Sequence, residues 1–289
     1  MTATSIENIR RHLEALIGER NPFSSPAALD SAGGYLEAQF RMLKLDVRTE
    51  PVGFEGIESN NVLGVLPGAK PLAEPFVLAA HYDTVEGSPG ADDNASAVAA
   101  LLETARLLGG ASLAAPLVLA AFTLEEYGFI GSRDFIERAK GQGFCGMISL
   151  EMVGYSDSAP GSQSYPPYID ASRYPDRGDF VAVVGNEPSD ALTQAVSEGL
   201  RQSSPALAVE QLVVPGRGDM FREVNLSDHS PFWQNGTPAV MITDTAFLRN
   251  PNYHQATDTL ETLDLDLIAN VALGVAGFLK HYLSAGRLK

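Results

Sequence analysis

Four short apolar runs, each followed by histidine or acidic residues, constrain the fold of this chain more than any other feature. The runs are residues 76–80, 116–123, 147–150 and 238–243. Such continuous apolar runs are typical of strands that are buried on both faces. Because ligands of an open α/β sheet gather beyond the carboxyl ends of its strands, we expect the polar residues that follow the runs to meet at one rim. These residues are His81, Glu125, Glu126, Glu151 and His254.

Segments with helical periodicity alternate with these and other strand-like segments. The predicted helices cover residues 1–22, 26–45, 94–108, 131–140, 189–202 and 264–283. The predicted strands cover residues 47–52, 61–66, 76–80, 116–123, 147–152, 180–184, 209–214 and 238–243. This alternation predicts an α/β sandwich with a largely parallel central sheet. No linker divides residues 1–289, so a single domain is expected.

One long segment interrupts the alternation. Residues 155–179 are rich in Ser, Pro, Tyr and Gly and have no usable periodicity. A loop of this length within a compact domain is usually functional or disordered. The segment carries four tyrosines and follows Glu151 closely. We therefore predict that it forms a rim near the active site, with a disordered excursion as the alternative.

The composition excludes several classes of protein. A formal net charge of −16 is the opposite of what a nucleic-acid binder needs, and anionic membranes would repel such a surface. The only cysteine, Cys145, rules out an internal disulfide and a cysteine-rich zinc site. Residues 1–22 lack the apolar core of a signal peptide, and we expect no stretch with the roughly 20 apolar residues of a membrane span. A cytoplasmic protein is expected, with secretion as the alternative if an export segment is missing from this sequence.

His81 and Asp83 have the spacing of a metal ligand and its supporting carboxylate. A lone histidine at a strand end is more often structural than functional. Asp83 changes this balance, because metal-binding histidines usually donate their second ring N–H to a carboxylate. Asp92 and Asp93 precede Asn94 in a pattern that also fits an ordinary helix start. Two adjacent carboxylates nevertheless favour cations, since one carboxylate can bridge two of them.

Glu125 and Glu126 form the most informative acidic pair. Neighbouring side chains on a regular strand point to opposite faces, so the two glutamates can act together only at a strand end. That is where the sequence places them. One carboxylate would bind zinc, and the other would take a proton from the metal-bound water. A solvated pair without a function is the alternative.

Glu151 and His254 complete the candidate set. Glu151 interrupts an apolar run, and a carboxylate in a buried strand is costly unless it is paired or bound to a metal. His254 follows Tyr253 in a polar loop, and His229 ranks below it as a candidate ligand. The sequence contains no Gly-x-Ser-x-Gly elbow, phosphate-binding loop or dinucleotide fingerprint, so no other chemistry competes well.

On these segments the chain resembles the co-catalytic di-zinc aminopeptidases, which are zinc-dependent exopeptidases in a family that also includes the glutaminyl cyclases. The matching segments follow the family's order from about residue 76 to residue 264. They are AHYDT (80–84), GADDNASA (90–97), FTLEEYGFIGSRDF (122–135), ISLEMVGY (148–155), SDHSPFWQNGTPAVMITDT (227–245) and NPNYHQATDT (250–259). The resemblance implies a three-layer α/β/α sandwich with a mixed, largely parallel sheet.

The resemblance also implies a set of metal ligands. His81 and Glu151 would bind one zinc ion. Glu126 and His254 would bind the other, and Asp93 would bridge the two ions. The family more often has Asp at the position of Glu151. A longer carboxylate can still reach zinc, and if it binds weakly the enzyme would work with one zinc or accept another divalent ion such as Co or Mn.

The remaining roles come from the same resemblance. Glu125 would be the general base and would later protonate the leaving amine. Asp83 would orient His81, and Tyr253 would donate a hydrogen bond to the developing oxyanion. The family often has a cis peptide bond after its bridging aspartate, which would place one at Asp93–Asn94.

The implied activity is hydrolysis of N-terminal residues from peptides. A glutaminyl cyclase is the nearest alternative, but such enzymes tend to have Trp where this chain has Tyr253. A carboxypeptidase or a dipeptidase on the same scaffold stays open, whereas a non-catalytic binding protein is less expected because all the candidate site residues are present. Side-chain preference and oligomeric state cannot be predicted. The candidates for lining the substrate pocket are Tyr165, Tyr168, Arg217, Phe232, Trp233 and Arg249.

Overall fold

A computed structural model describes residues 3–70 and 73–284 of the protein. Within this part of the chain, strands form one sheet in the order β1-β2-β4-β3-β5-β8-β6-β7. The strands are β1 (Asp46–Phe54), β2 (Ile57–Leu66), β3 (Phe76–His81), β4 (Leu117–Phe122), β5 (Gly146–Glu151), β6 (Val181–Asn186), β7 (Val209–Val214) and β8 (Ala239–Thr243). The predicted central strands are therefore all present.

The sheet is mixed, with its parallel strands in the centre. The pairings β3–β4, β3–β5, β5–β8 and β6–β7 are parallel. The pairings β1–β2, β2–β4 and β6–β8 are antiparallel. Every residue of β3, β4, β5 and β8 is buried, which explains why the sequence shows continuous apolar runs there.

Helices cover both faces of the sheet and create two cores. The helices are α1 (Ala3–Leu16), α2 (Pro26–Met42), α3 (Ala97–Leu107), α4 (Ile130–Arg138), α5 (Asp190–Ser203), α6 (His229–Gln234) and α7 (Leu265–Ser284). Apolar residues of α1, α2, α3, α5 and α7 pack on one face of the sheet. Phe135 of α4 and Phe232 of α6 pack on the other face. The predicted three-layer α/β/α sandwich is confirmed.

Several predicted boundaries differ from those in the structure. The first helix ends at Leu16 rather than at residue 22, and Gly18 follows with φ of 146°. Met1 and Thr2, where that helix was predicted to begin, lie outside the described residues. The predicted helix 94–108 begins only at Ala97, because residues 91–96 form a distorted helical turn. Helix α6 was not predicted. Residues 155–179 contain only a 3-10 turn and an isolated bridge.

Helix α7 corrects the expectation that no stretch could span a membrane. Its 20 residues are long and apolar enough to do so by length and composition alone. In the fold, however, α7 lies against α3 and α5, and its apolar residues belong to the core. A buried core helix passes the same test of length and composition, so this helix is weak evidence for a membrane span.

Candidate metal centre

The polar residues that follow the parallel strands meet at one edge of the sheet. His81 is the last residue of β3, and Glu151 is the last residue of β5. Glu125 and Glu126 follow β4, and His254 lies in the loop after β8. Because these four strands run parallel, their carboxyl ends deliver the side chains to the same rim. Acidic and imidazole side chains from distant parts of the sequence thus surround one cleft.

One cluster in the cleft consists of His81, Asp93 and Glu151. The His81 Nε2 atom lies 3.3 Å from Asp93 Oδ1 and 3.5 Å from Glu151 Oε2. Glu125 Oε2 lies somewhat farther from the same nitrogen atom, at 3.9 Å. All four side chains are buried. A nitrogen and two carboxylate oxygens at this spacing could hold one metal ion.

A second cluster shares Asp93 with the first. The His254 Nε2 atom lies 3.1 Å from Asp93 Oδ2 and 3.3 Å from Glu126 Oε2. Asp93 therefore directs one carboxylate oxygen to each cluster. Each cluster could hold a metal ion, and Asp93 belongs to both.

Sharp turns at the strand ends bring these side chains to the rim. Leu124 after β4, Met152 after β5 and His254 all have φ between 46° and 58°, in the left-handed region. A residue with a Cβ atom in that region costs of order 1–3 kcal/mol unless the surroundings hold it. The turn at Leu124 lets both consecutive glutamates reach the cleft. The Asp93–Asn94 peptide bond is cis, as the family resemblance implied.

Asp83 connects the two glutamates to His81. Its carboxylate accepts hydrogen bonds from the backbone N–H groups of Glu125 at 3.0 Å and Glu126 at 3.2 Å. The Nδ1 atom of His81 lies 3.6 Å from Asp83 Oδ1, on the side of the ring opposite the cleft. Asp83 is fully buried. It therefore stands where a residue that orients His81 is expected.

Three buried polar residues near the site, Ser227, Asp228 and Asp258, were missed in the sequence analysis. Ser227 donates a hydrogen bond to Glu151 Oε2 at 2.8 Å. Asp258 accepts hydrogen bonds from the backbone N–H groups of Asp92 at 2.8 Å and Asp93 at 3.1 Å. Asp228 is buried with no hydrogen-bond partner for either carboxylate oxygen among the described residues. All three lie in segments that resemble the family, which is the only signal the sequence offered.

Crowding of buried acids shifts the pKa values of the cleft. Burial, and then the Asp93 charge, raise the pKa of Glu126 to about 7. Burial raises the pKa of Glu125 well above its ordinary range, and Glu151 and Glu126 add to this effect. Burial alone would lower the pKa of His254, but hydrogen bonding to Asp93 and Glu126 raises it to about 10. In the absence of a cation, the charged forms of Glu125 and Glu126 are therefore disfavoured in the cleft.

A bound cation would satisfy this site. Several buried atoms that point into the cleft lack a hydrogen-bond partner among the described residues. They are His81 Nε2, Asp93 Oδ1, Glu126 Oε1 and His254 Nε2. Unpaired buried polar atoms are costly, and imidazole nitrogen with carboxylate oxygen is a donor set that zinc accepts. The residues present thus fit divalent metal ions.

Most candidates for lining the pocket lie elsewhere. Phe232 and Trp233 are buried in the core under α4 and α6. Arg217 donates hydrogen bonds to the backbone carbonyls of Trp233 and Gln234. Tyr165 does line a cavity beside the cleft, whereas Tyr168 does not line it; Tyr168 is exposed and donates a hydrogen bond to Glu223. His229 is buried, and its Nε2 atom lies 2.8 Å from the Val224 carbonyl oxygen, away from both clusters.

Arg249, the last of these candidates, is also buried. It donates to Gln163 Oε1 at 2.9 Å and to the Phe180 carbonyl at 2.7 Å. Its guanidinium carbon lies 4.5 Å from the centre of the Phe180 ring. Arg249 therefore ties the segment 155–179 to the rest of the fold, and it lines neither the cleft nor the cavity beside it.

Comparison with known proteins identifies the family. The model of peptidase family M28 matches residues 61–279. The chain belongs to peptidase family M28. Escherichia coli K12 YfbL, described as uncharacterized, is 38% identical over 86% of this chain and 78% of its own length. A Trichophyton verrucosum protein described as a probable leucine aminopeptidase is 26% identical over 93% of this chain and 72% of its own length. The prediction of a metallo-exopeptidase is confirmed.

Solved structures share the fold. The Legionella pneumophila LapA aminopeptidase aligns with a TM-score of 0.77 at 19% identity, over 96% of this chain and 71% of its own. A zinc aminopeptidase from Bacillus subtilis aligns at 0.71 and 15% identity, over 98% and 95% of the two chains. A glutaminyl cyclase from Porphyromonas gingivalis aligns at 0.70 and 20% identity, over 96% and 97%. The predicted zinc-exopeptidase-like fold is confirmed.

Proposed function

We propose that this M28 peptidase is an aminopeptidase with two zinc ions bridged by Asp93. The observation that carries this proposal is the placement of the two Asp93 oxygens. One lies 3.3 Å from His81 and the other 3.1 Å from His254. The carboxylates of Glu126 and Glu151 lie beside these imidazoles as well, and several buried carboxylates in one cleft are costly unless cations offset their charge.

Each zinc ion would have its own pair of ligands besides Asp93. His81 and Glu151 would hold one ion, and Glu126 and His254 would hold the other. When bound, zinc would supply Lewis-acid activation of water and of the peptide carbonyl. The longer side chain of Glu151 is compatible with this role, since its Oε2 atom reaches within 3.5 Å of His81 Nε2.

Glu125 would act as the general base. Its carboxylate lines the cleft and belongs to neither cluster, although its Oε2 atom lies only 3.9 Å from His81 Nε2. It would accept a proton from the attacking water and then deliver that proton to the leaving amine nitrogen. Asp83 fixes the backbone of Glu125 by its 3.0 Å hydrogen bond, so the base would be held in one position.

Tyr253 would stabilise the oxyanion of the tetrahedral intermediate. Its ring stacks on His254 with 3.8 Å between the ring centres. The phenol also lines both the cleft and the adjoining cavity. A hydroxyl that donates to a developing oxyanion in a buried site stabilises the transition state more than it would in water.

The substrate's α-amine would bind near Glu151. This residue lines both the metal cleft and the cavity beside it, so it marks the junction between them. An amine held at this junction would place the first side chain in the cavity and the scissile carbonyl over the metal positions. Peptides with a blocked amine would then be poor substrates.

A panel of amino-acid p-nitroanilides, with and without N-acetylation, tests this proposal. Wild-type enzyme should release p-nitroaniline from the free-amine substrates only, lose activity to a chelator and regain it with zinc. Glu125→Gln should bind zinc normally and lose hydrolysis. Release of ammonia and pyroglutamate from an N-terminal glutaminyl peptide, with no p-nitroanilide cleaved, would instead establish the cyclase. Equal cleavage of acetylated substrates would refute amine anchoring.

A further inference from the structure

The cavity beside the metal cleft has a straight floor that the strand register defines. Glu151 pairs with Thr243, Thr243 with Ala182, and Ala182 with Glu210. Residues paired across neighbouring strands point to the same face of the sheet. The short side chains of Thr243 and Ala182 therefore lie between Glu151 and Glu210. Three strand spacings of about 4.8 Å make this trough about 14 Å long.

The walls of the trough are apolar, but its charges are all negative. The cavity opens to solvent. Phe180, Leu212 and Met241 are among its apolar walls. Among the described residues that line it, none is a lysine, arginine or histidine, whereas Glu151, Glu210 and Glu223 all line it. A cavity with surplus carboxylates and no cation of its own favours a cationic ligand.

Glu210 is the carboxylate at the far end of the trough. It lies on β7, the edge strand, and is half-buried. Among the described residues, none forms a hydrogen bond or an ion pair with its carboxylate. Burial raises the pKa of Glu210, and the charge of Arg201 offsets this effect only in part. Glu223, in contrast, accepts a 2.9 Å hydrogen bond from Tyr168.

We propose that this trough binds the side chain of the substrate's N-terminal residue and that Glu210 selects lysine or arginine there. This inference rests on the proposed aminopeptidase function. With the α-amine near Glu151, a long unbranched side chain would cross Thr243 and Ala182, and its cation would meet Glu210. The methylene stem of lysine or arginine suits apolar walls while its charged end needs a partner.

Leucine fits the same trough less completely. Its branched side chain is shorter, so it would leave the far end of the trough unfilled and Glu210 without a partner. Arg249 does not replace a substrate cation, because it lies behind the Phe180 ring and donates to Gln163 and to the Phe180 carbonyl. Arg201 donates to the backbone carbonyl of Val209 rather than to Glu210.

The p-nitroanilides of lysine, arginine, norleucine and leucine separate charge from length. Norleucine has the lysine stem without its terminal amine. We expect the zinc-loaded wild-type enzyme to have a kcat/KM for lysine at least about tenfold above that for norleucine. This ratio is the expected contribution of a hydrogen bond between two charged groups, the lysine amine and the Glu210 carboxylate. Glu210→Gln should remove this advantage, mainly through KM, and leave leucine unchanged. Glu14→Gln, on an exposed position of α1, is the matched control.

Each outcome of this experiment decides the question. Better cleavage of leucine or norleucine than of lysine by wild-type enzyme would overturn the selection of cations while leaving the aminopeptidase function intact. An equal loss for all four substrates in Glu210→Gln would also overturn it, since Glu210 would then be structural. If wild-type enzyme cleaves none of the four, the aminopeptidase function fails and this inference fails with it.

Discussion

The substitution Asp83→Asn tests how the metal centre is held together. Asp83 is buried, and it accepts the N–H groups of Glu125 and Glu126 at 3.0 and 3.2 Å. It also faces Nδ1 of His81 at 3.6 Å. Asparagine has nearly the same shape, but one of its two terminal groups is an NH₂ donor. One backbone N–H would therefore face another donor, and the negative charge beside His81 would disappear.

The expected cost follows from these contacts. A buried donor left without an acceptor costs about 1–3 kcal/mol. If this cost falls on the metal-bound state, zinc affinity should fall by about 5- to 140-fold, since about 1.4 kcal/mol corresponds to a factor of ten. This range overlaps the 10- to 100-fold loss that is typical when a supporting carboxylate of a metal-binding histidine is removed.

Competition with a chromogenic chelator measures the change in zinc affinity. Asp83→Asn should bind zinc more weakly than the wild type while remaining folded, as judged by circular dichroism. Asp30→Asn, at an exposed position on α2, controls for the loss of one carboxylate. Unchanged zinc affinity and unchanged kcat in a folded Asp83→Asn protein would refute the idea that Asp83 positions His81 and the glutamate pair.

Three further predictions concern the fold. Gly90 has φ of 62°, and a Cβ atom there would lie 2.3 Å from Thr84 Cγ2 and 2.5 Å from the Asp93 carbonyl oxygen. Gly90→Ala should therefore lower both urea stability and zinc affinity; normal zinc binding would contradict this. Burial lowers the pKa of His12 from 6.5 to about 4 in the folded state. As the pH falls, the unfolded chain therefore binds a proton at a higher pH than the folded protein does. The free energy of unfolding should fall by up to about 3 kcal/mol between pH 6.5 and pH 4. His12→Gln should show a smaller fall over that range, and an equal fall would argue against this cause. Phe232 is fully buried, so Phe232→Ala should cost about 3–5 kcal/mol in denaturant unfolding; a loss below about 1 kcal/mol would contradict its place in the core.

The centre of the fold could be predicted because its strands have a simple pattern. Strands β3, β4, β5 and β8 are buried on both faces, so each is a continuous apolar run in the sequence. Helix α6 could not be predicted, because its six residues are too few to show a helical period. The start of α3 was misplaced because Asn94 resembles a helix cap but lies in a distorted turn with non-helical φ and ψ.

The candidate metal ligands could be predicted for a similar reason. Residues at the carboxyl ends of parallel strands converge whatever the details of packing, so His81 and Glu151 are placed by topology alone. Ser227 and Asp258 could not be found in this way, because they support the site from loops whose paths depend on tertiary contacts. Glu210 required the register of β6 with β7 and β8, which no sequence pattern specifies.

The pocket candidates show where sequence reasoning fails. Arg249 was a candidate for lining the substrate pocket, yet it is buried and donates to backbone carbonyls. Phe232 and Trp233 follow the Ser227-Asp228-His229 segment closely in sequence but belong to the core. Proximity in sequence to a site residue therefore says little about which way a side chain points.

Zinc stoichiometry tests the central claim most directly. Metal-free enzyme would be titrated with zinc, and bound zinc per chain and p-nitroanilide hydrolysis would be measured at each step. The two-metal account predicts two zinc ions per chain in the wild type, and one each in Glu151→Ala and His254→Ala with hydrolysis strongly reduced. Saturation of the wild type at one zinc per chain, with full activity, would contradict a centre bridged by Asp93.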